Sequence, residues 1–328
     1  MIININNLSK TYKLFEKEAG LKGSIKSLFK RKYTYKTALE NFNLEINEGE
    51  FVGLIGPNGA GKTTLVKLLT GIIAPTSGEI SVMGYYPNKL ENSFKKQYAV
   101  VMGQKSQLFF ELSAGDTFLL FKELYNIPNN EYTENLKYFV ELFDVENLLN
   151  VQVRTLSLGE RMKMELIVAL LHNPRVLFLD EPTIGLDAIA QNQIRKFLKE
   201  VNEQKGTTII LTSHYMEDIK SLCKRCVVVN EGRKIYDGDK DILFEKYRTK
   251  KKISLSFLTE VSFNLPPNCE LLEKEPFKVS FTVPVEETYE TVDLIMKNYS
   301  LSDISIEEDE IGNVVQRIYS DRQVAINE

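Results

Sequence analysis

The sequence predicts an α/β fold: a mostly parallel sheet covered by helices on both faces, carrying a phosphate-binding loop and followed by a small α+β domain. Three observations predict it. Residues 56 to 64 read Gly-Pro-Asn-Gly-Ala-Gly-Lys-Thr-Thr, which fits G-x-x-x-x-G-K-[ST] through Gly56, Gly61, Lys62 and Thr63. Val176-Leu-Phe-Leu-Asp180 and Thr207-Thr-Ile-Ile-Leu-Thr212 are unbroken apolar runs, separated by a helical pattern at Ile194, Phe197, Leu198 and Val201. Strands buried on both faces read this way and imply parallel pairing. Beyond the charged run Lys246 to Lys252 the pattern alternates again, as in Ile253-Ser-Leu-Ser-Phe257.

Taken in order, residues 2 to 12 and 37 to 55 alternate as short strands do. The segment 13–36 between them carries eight Lys or Arg against two Glu, with Leu21, Ile25, Leu28 and Phe29 on one helical face. Such a basic amphipathic stretch suits a membrane surface or a partner as well as packing on its own domain. Glu50 to Ile55 form a buried strand before the glycine-rich loop, and Leu65, Leu68 and Leu69 form a helix after it. Glu79 to Met83 read as a strand, and 113–173 as mostly helical, broken at Asn126 to Asn130 and around Ser157 and Gly159. Val227 to Gly238 form a hairpin turning at Asn230 to Gly232. The expected organisation is a domain over 1–245 with a helical subdomain at about 105–173, a linker over 246–252 and an accessory domain over 253–328. That last domain reads strand, strand, helix (Glu286 to Asn298), strand, helix (Glu310 to Tyr319).

At 328 residues, two domains are the natural expectation, and 43% apolar with 26% charged residues describes a globular chain with a sizeable core. No run approaches the ~18 apolar residues of a bilayer span, and the N-terminus lacks the basic and apolar regions of a signal peptide. A formal charge of −4 gives no electrostatic case for nucleic acid. Three cysteines argue for a reducing compartment; Cys223 and Cys226 lie where a helix gives way to a strand and read as small buried residues. His172 reads as a surface residue.

The loop's chemistry follows from its residue types. Glycines let several backbone N–H groups converge on one anion, and the helix N-terminus adds partial positive charge. Pro57, Asn58, Gly59, Ala60 and Thr64 complete that cradle. Lys62 brings a point charge to the β- and γ-phosphates, and the Thr63 hydroxyl binds Mg²⁺. Asp180, ending an apolar strand, puts a carboxylate beside that ion, and Glu181 next to it polarises a water for in-line attack. Leu156-Ser-Leu-Gly-Glu-Arg161 opens a helix with an apolar face at Met164, Ile167, Val168 and Leu171, a second anion-binding end.

With these motifs in this order, residues 1 to about 245 resemble the nucleotide-binding subunits of ABC transporters. The resemblance makes the fold a P-loop cassette with a helical and an antiparallel β-subdomain. It makes Tyr12 the aromatic that stacks on adenine and 56–64 the Walker A loop. Gln104 matches the glutamine that touches Mg²⁺ and senses the membrane partner; Ser157, Leu158, Gly159 and Glu160 match the signature. Asp180 and Glu181 match Walker B and its catalytic carboxylate, Asp187 the D-loop, and His214 the switch histidine. It implies ATP and Mg²⁺, separate permease chains, and a head-to-tail homo- or heterodimer that closes on ATP at the cytoplasmic side of the membrane. The signature departs from Leu-Ser-Gly-Gly-Gln at Leu158 and Glu160, and the added charge lies near the partner's nucleotide.

The signature, with Pro182 to Asp187, is similar to the subgroup paired with drug, antibiotic or lipid exporters. Polysaccharide export is the alternative, because those ATPases also carry insertions before Walker A. An ABC ATPase acting on ribosomes or DNA is the rival from another class; such proteins carry a second cassette or long coiled coils. Leu108-Phe-Phe-Glu-Leu112 occupies the permease-facing position, where Phe109 and Phe110 are either interface anchors or subdomain core.

Overall fold

Alternating residues at the N-terminus build two long strands, β1 (Ile3–Glu16) and β2 (Lys32–Ile46), paired antiparallel from Ile3↔Ile46 to Glu16↔Lys32. The computed structural model describes residues 1–16, 32–103, 105–213, 215–247 and 249–308. The chain continues through β3 (Phe51–Ile55), α1 (Lys62–Leu69), β4 (Ser77–Val82), α2 (Asn92–Lys95) and β5 (Tyr98–Met102). The helices α3 (Ala114–Tyr125), α4 (Asn129–Phe143) and α5 (Leu158–Leu170) follow, then β6 (Val176–Asp180), α6 (Ala188–Lys205) and β7 (Thr208–Thr212). Next come α7 (Met216–Leu222), β8 (Arg225–Asn230) and β9 (Arg233–Asp239), the last two joined by Glu231 and Gly232, both at positive φ as a two-residue hairpin turn demands.

Six strands form the main sheet in the order β5-β6-β7-β3-β8-β9, with the pairs from β5 to β8 all parallel. A second sheet, β2-β1-β4, is antiparallel. One apolar cluster runs from Ile3, Ile5, Phe42 and Ile80 of the antiparallel sheet, through Leu65, Val66 and Leu69 of α1, to Val52, Phe178, Ile210 and Val227 of the parallel one. The helix behind the glycine-rich loop is thereby held between two sheets.

The chain divides after Gly238 into two compact units. The second contains α8 (Lys240–Tyr247), β10 (Lys250–Phe257), β11 (Glu270–Glu275), β12 (Lys278–Pro284), α9 (Thr288–Asn298) and β13 (Leu301–Glu308). Its sheet runs β11-β12-β10-β13 around a core of Ile253, Leu255, Phe281 and Ile295.

Five expectations change. The division falls at 238, not 245, and the charged run is no linker: Lys246 and Tyr247 close α8, and Lys250 to Lys252 open β10. Charge marked a helix end and a half-buried strand start, not an unstructured join. Three strands, not two, precede α9, because β11 is exposed along its whole length and lacks the alternation that marks a half-buried strand. The basic segment is not set apart from the strands: 13–16 and 32–36 extend β1 and β2 as paired arms. His172 is no surface residue; its ring stacks on Tyr125 at 4.0 Å, its Nε2 lies 3.2 Å from the Tyr98 carbonyl, and burial lowers its pKa to about 4. The helical stripe of Leu21, Ile25, Leu28 and Phe29 and the helix at Glu310 to Tyr319 lie outside the described residues.

Phe197 of α6 is buried and stacks on Phe143 of α4, with ring centroids 3.7 Å apart. Phe197→Ala is expected to destabilise the chain by about 3–5 kcal/mol through the cavity it leaves. A urea titration reads this directly; an unchanged midpoint contradicts the packing.

Candidate active site

The geometry of the loop follows from its glycines. Gly61 sits at φ +113, and a Cβ there would lie 2.6 Å from the Ala38 carbonyl, so no other residue fits at the entrance to α1. Gly56 roots the loop against β8, where an added Cβ would meet the Val229 carbonyl at 2.3 Å. No side chain caps α1, so its first N–H groups face the loop. Lys62 is 6% exposed and its Nζ donates to the Gly56 and Pro57 carbonyls at 2.6 and 3.2 Å. Burial lowers the pKa of that ammonium, while Glu181 and Asp180 draw it back up.

Across from the loop, Asp180 ends β6 and receives hydroxyl hydrogens from two other elements. Thr63 of α1 donates to Oδ2 at 3.0 Å, and Thr212, ending β7, donates to Oδ1. Glu181 follows at φ 56, a left-handed conformation that a glutamate adopts only under constraint. The constraint is visible. Its N–H donates to the Thr212 carbonyl at 2.9 Å, and its own carbonyl lies 2.3 Å from where a Cβ on Gly103 would sit.

Two adjoining clefts meet here and share Asn58, Gly59, Thr63 and Glu181. One, of about 240 Å³, is also lined by Tyr12, Lys36, Lys62 and Thr64; the other, of about 570 Å³, by Lys67, Gly103, Lys105 and Asp180. The donor set fits a small hard cation, since a hydroxyl and a carboxylate converge on one point beside an anion cradle. It also fits a phosphorylated ligand, with cationic Lys62, Lys36, Lys67 and Lys105 around that point.

Most of the site expected from sequence is therefore assembled in one place: Tyr12, the 57–64 loop, Asp180 and Glu181. The Tyr12 hydroxyl reaches Thr64 Oγ1 at 3.5 Å. Gln104 and His214 lie outside the described residues. Ser157 to Glu160 and Asp187 line neither cleft. Ser157 and Glu160 form a reciprocal capping box: Glu160 Oε2 accepts from the Ser157 N–H at 2.8 Å and its hydroxyl at 2.7 Å. These bonds lower the Glu160 pKa. Asp187 caps α6 by accepting from the Ala190 N–H at 2.8 Å. Leu158 lies against Gly185, and Gly159 against Ala190, where a Cβ would come within 3.0 Å.

Sequence reasoning missed Lys36, Thr212, Gly103 and Lys105. Lys36 faces the cleft because it pairs with Tyr12 in the hairpin, a register the residues alone do not reveal. Thr212 was findable as the hydroxyl that ends the strand before His214. The open choice at Phe109 and Phe110 is settled in favour of the surface: they are 48% and 45% exposed while Leu108 is buried. Behind them the buried Glu165 of α5 accepts the Ser106 hydroxyl and the Gln107 N–H, tying this segment to the helix that starts at Ser157.

A loop shaped to wrap an anion, a carboxylate pair at the end of β6 and a hydroxyl between them define a nucleoside-triphosphate-binding protein. The family pattern described as ABC transporter matches residues 39–184. The chain is 32% identical over 222 residues to the ABC transporter ATP-binding protein NatA of Bacillus subtilis (strain 168), covering 68% of this chain and 90% of that one. It is 33% identical over 211 residues to the linearmycin resistance ATP-binding protein LnrL of the same organism, covering 64% of this chain and 67% of that one. Among solved structures, an ATP-binding subunit of an ABC transporter superposes with a TM-score of 0.61 at 26% identity, covering 75% of this chain and 93% of that chain. The chain belongs to the ABC transporter family, as one of its ATP-binding proteins.

Removing the capping box by Glu160→Ala is expected to lower unfolding free energy by about 1 kcal/mol, with Glu160→Gln close to wild type. Equal losses in both variants would show that the charge, not the reciprocal hydrogen bonding, carries the effect.

Proposed function

We propose that this chain binds and hydrolyses ATP to power separate membrane-embedded permease subunits, in the manner of exporters of drugs, antibiotics, lipids or similar amphipathic molecules. The observation that carries the reading is the Thr63–Asp180 hydrogen bond, with buried Lys62 and strained Glu181 on either side of it. The loop N–H groups and Lys62 hold the β- and γ-phosphates, and Tyr12 offers its ring to the base. Thr63 and Asp180 hold Mg²⁺, together with Gln104; the ion neutralises phosphate charge when bound. Glu181 orients the attacking water and takes its proton, and His214 contacts the γ-phosphate. Ser157 and Gly159 act on the nucleotide of a second cassette, which is why they line neither cleft of their own chain.

Export is supported by the resistance function in the name of LnrL. The chain sits as a peripheral subunit at the cytoplasmic face of its permease; no helix among the described residues is long and apolar enough to cross a membrane. Exposed Phe109, Phe110 and Leu112 form the surface that meets the permease. The hairpin arms leave Leu14, Phe15 and Tyr35 exposed beside Lys13, a composition suited to anionic lipid or to the permease. The accessory domain, with no phosphate-site motif, regulates the machine or supports its dimer.

Glu181→Gln keeps the shape of the site and removes the base. ATP affinity is expected to stay within about threefold of wild type while phosphate release falls by about 100-fold or more. Wild-type turnover in purified Glu181→Gln would refute the assignment.

A further inference from the structure

Outside the phosphate site, Asp218 on α7 carries a charge on a side chain that is wholly buried. Its two oxygens are claimed by three groups. Thr183 donates its hydroxyl to Oδ2 at 2.6 Å, Ser213 donates its hydroxyl to the same oxygen at 2.8 Å, and Arg195 of α6 donates Nε to Oδ1 at 2.7 Å. Thr183 and Ser213 are each 1% exposed.

These partners matter because of where they sit in the chain. Thr183 is two residues beyond Glu181, inside the tight turn closed by Ile184 N–H on the Glu181 carbonyl and Leu186 N–H on the Thr183 carbonyl. Ser213 directly precedes His214, and its hydroxyl also accepts the Tyr215 N–H at 2.9 Å. Arg195 holds Gln191, whose amide donates to the Leu186 carbonyl at 3.1 Å, next to Asp187. One carboxylate thus joins the turn that carries Glu181, Ser213 at the end of β7 and, through Arg195, the approach to Asp187. A glutamate at left-handed φ relaxes unless both ends of its turn are fixed, and Asp218 fixes the far end.

We propose that Asp218 is a positioning residue for hydrolysis: through Thr183 and Ser213 it sets the register of the Glu181 turn against the C-terminal end of β7, without touching nucleotide. This rests on the ATPase reading above. It predicts a defect in turnover and none in binding, since the loop and Lys62 lie outside the network. Replacing Asp218 or Arg195 would leave its partner's charge buried and endanger the fold, so the hydroxyls are the better probes.

The test uses the full chain with ATP and Mg²⁺, comparing wild type, Thr183→Val, Thr183→Ser and Ser213→Ala for ATP affinity by calorimetry and for kcat by phosphate release. Thr183→Val and Ser213→Ala should lower kcat by about tenfold or more through misplacement of the reacting groups. Affinity should stay within about twofold, and Thr183→Ser, which restores the hydroxyl, should recover most of the rate. Wild-type kcat in Thr183→Val and Ser213→Ala would overturn the proposal and leave the network a purely structural support. A wild-type chain that binds ATP without turning it over would instead overturn the hydrolysis reading, and this proposal with it.

Discussion

Every part of the site is referred to the carboxylate of Asp180. It stands where β6 ends, and it is reached by the Thr63 hydroxyl from the first turn of α1 and the Thr212 hydroxyl from the end of β7. Parallel strands deliver their C-terminal ends to one edge of the sheet, so a carboxylate on one strand and a hydroxyl on its neighbour meet without any loop having to bend toward them. The Asp180↔Thr212 pairing is the last rung of the β6–β7 ladder. A buried ladder of apolar residues, from Leu177 to Leu179 against Ile209 to Leu211, fixes that rung.

Holding an acid there makes demands elsewhere. Two carboxylates beside a loop built for phosphate oppose the arrival of more negative charge, and the counterweight is cationic. Burial lowers the pKa of Lys62, and the charges of Glu181 and Asp180 offset part of that shift. Lys36 from the hairpin and Lys105 from the loop after β5 extend that positive lining. Glu181 meets a steric demand as well: only glycine at 103 lets the backbone turn back close enough to hold it at positive φ. Strain stored at this one residue fits a group that must point at a reacting atom instead of relaxing into solvent.

Motif spacing made the loop, the acidic strand end and the helix cap at Ser157 legible, because each needs particular residue types at fixed separations. The parallel sheet was legible from unbroken apolar runs. What stayed hidden depends on three-dimensional register. Lys36 enters the cleft only through its pairing with Tyr12, and Asp218 becomes a junction only when α6, α7 and the 181–187 turn are packed together. His172 was misjudged because Leu-His-Asn-Pro looks like an exposed turn, whereas its ring stacks on Tyr125 between α3 and the strand edge at Tyr98. The charged run at 246–252 misled for a related reason: its lysines flank the Tyr247 helix end and the start of β10, which composition alone does not distinguish from a linker.

Lys62 and the loop around it form the place built to receive nucleotide phosphates. Calorimetric titration of ATP with Mg²⁺ into wild type and Lys62→Ala tests it most directly. One charge-assisted contact of about 1.5–3 kcal/mol predicts saturable binding by wild type that weakens about 10- to 100-fold in Lys62→Ala. Equal affinity in the two folded proteins would contradict the account.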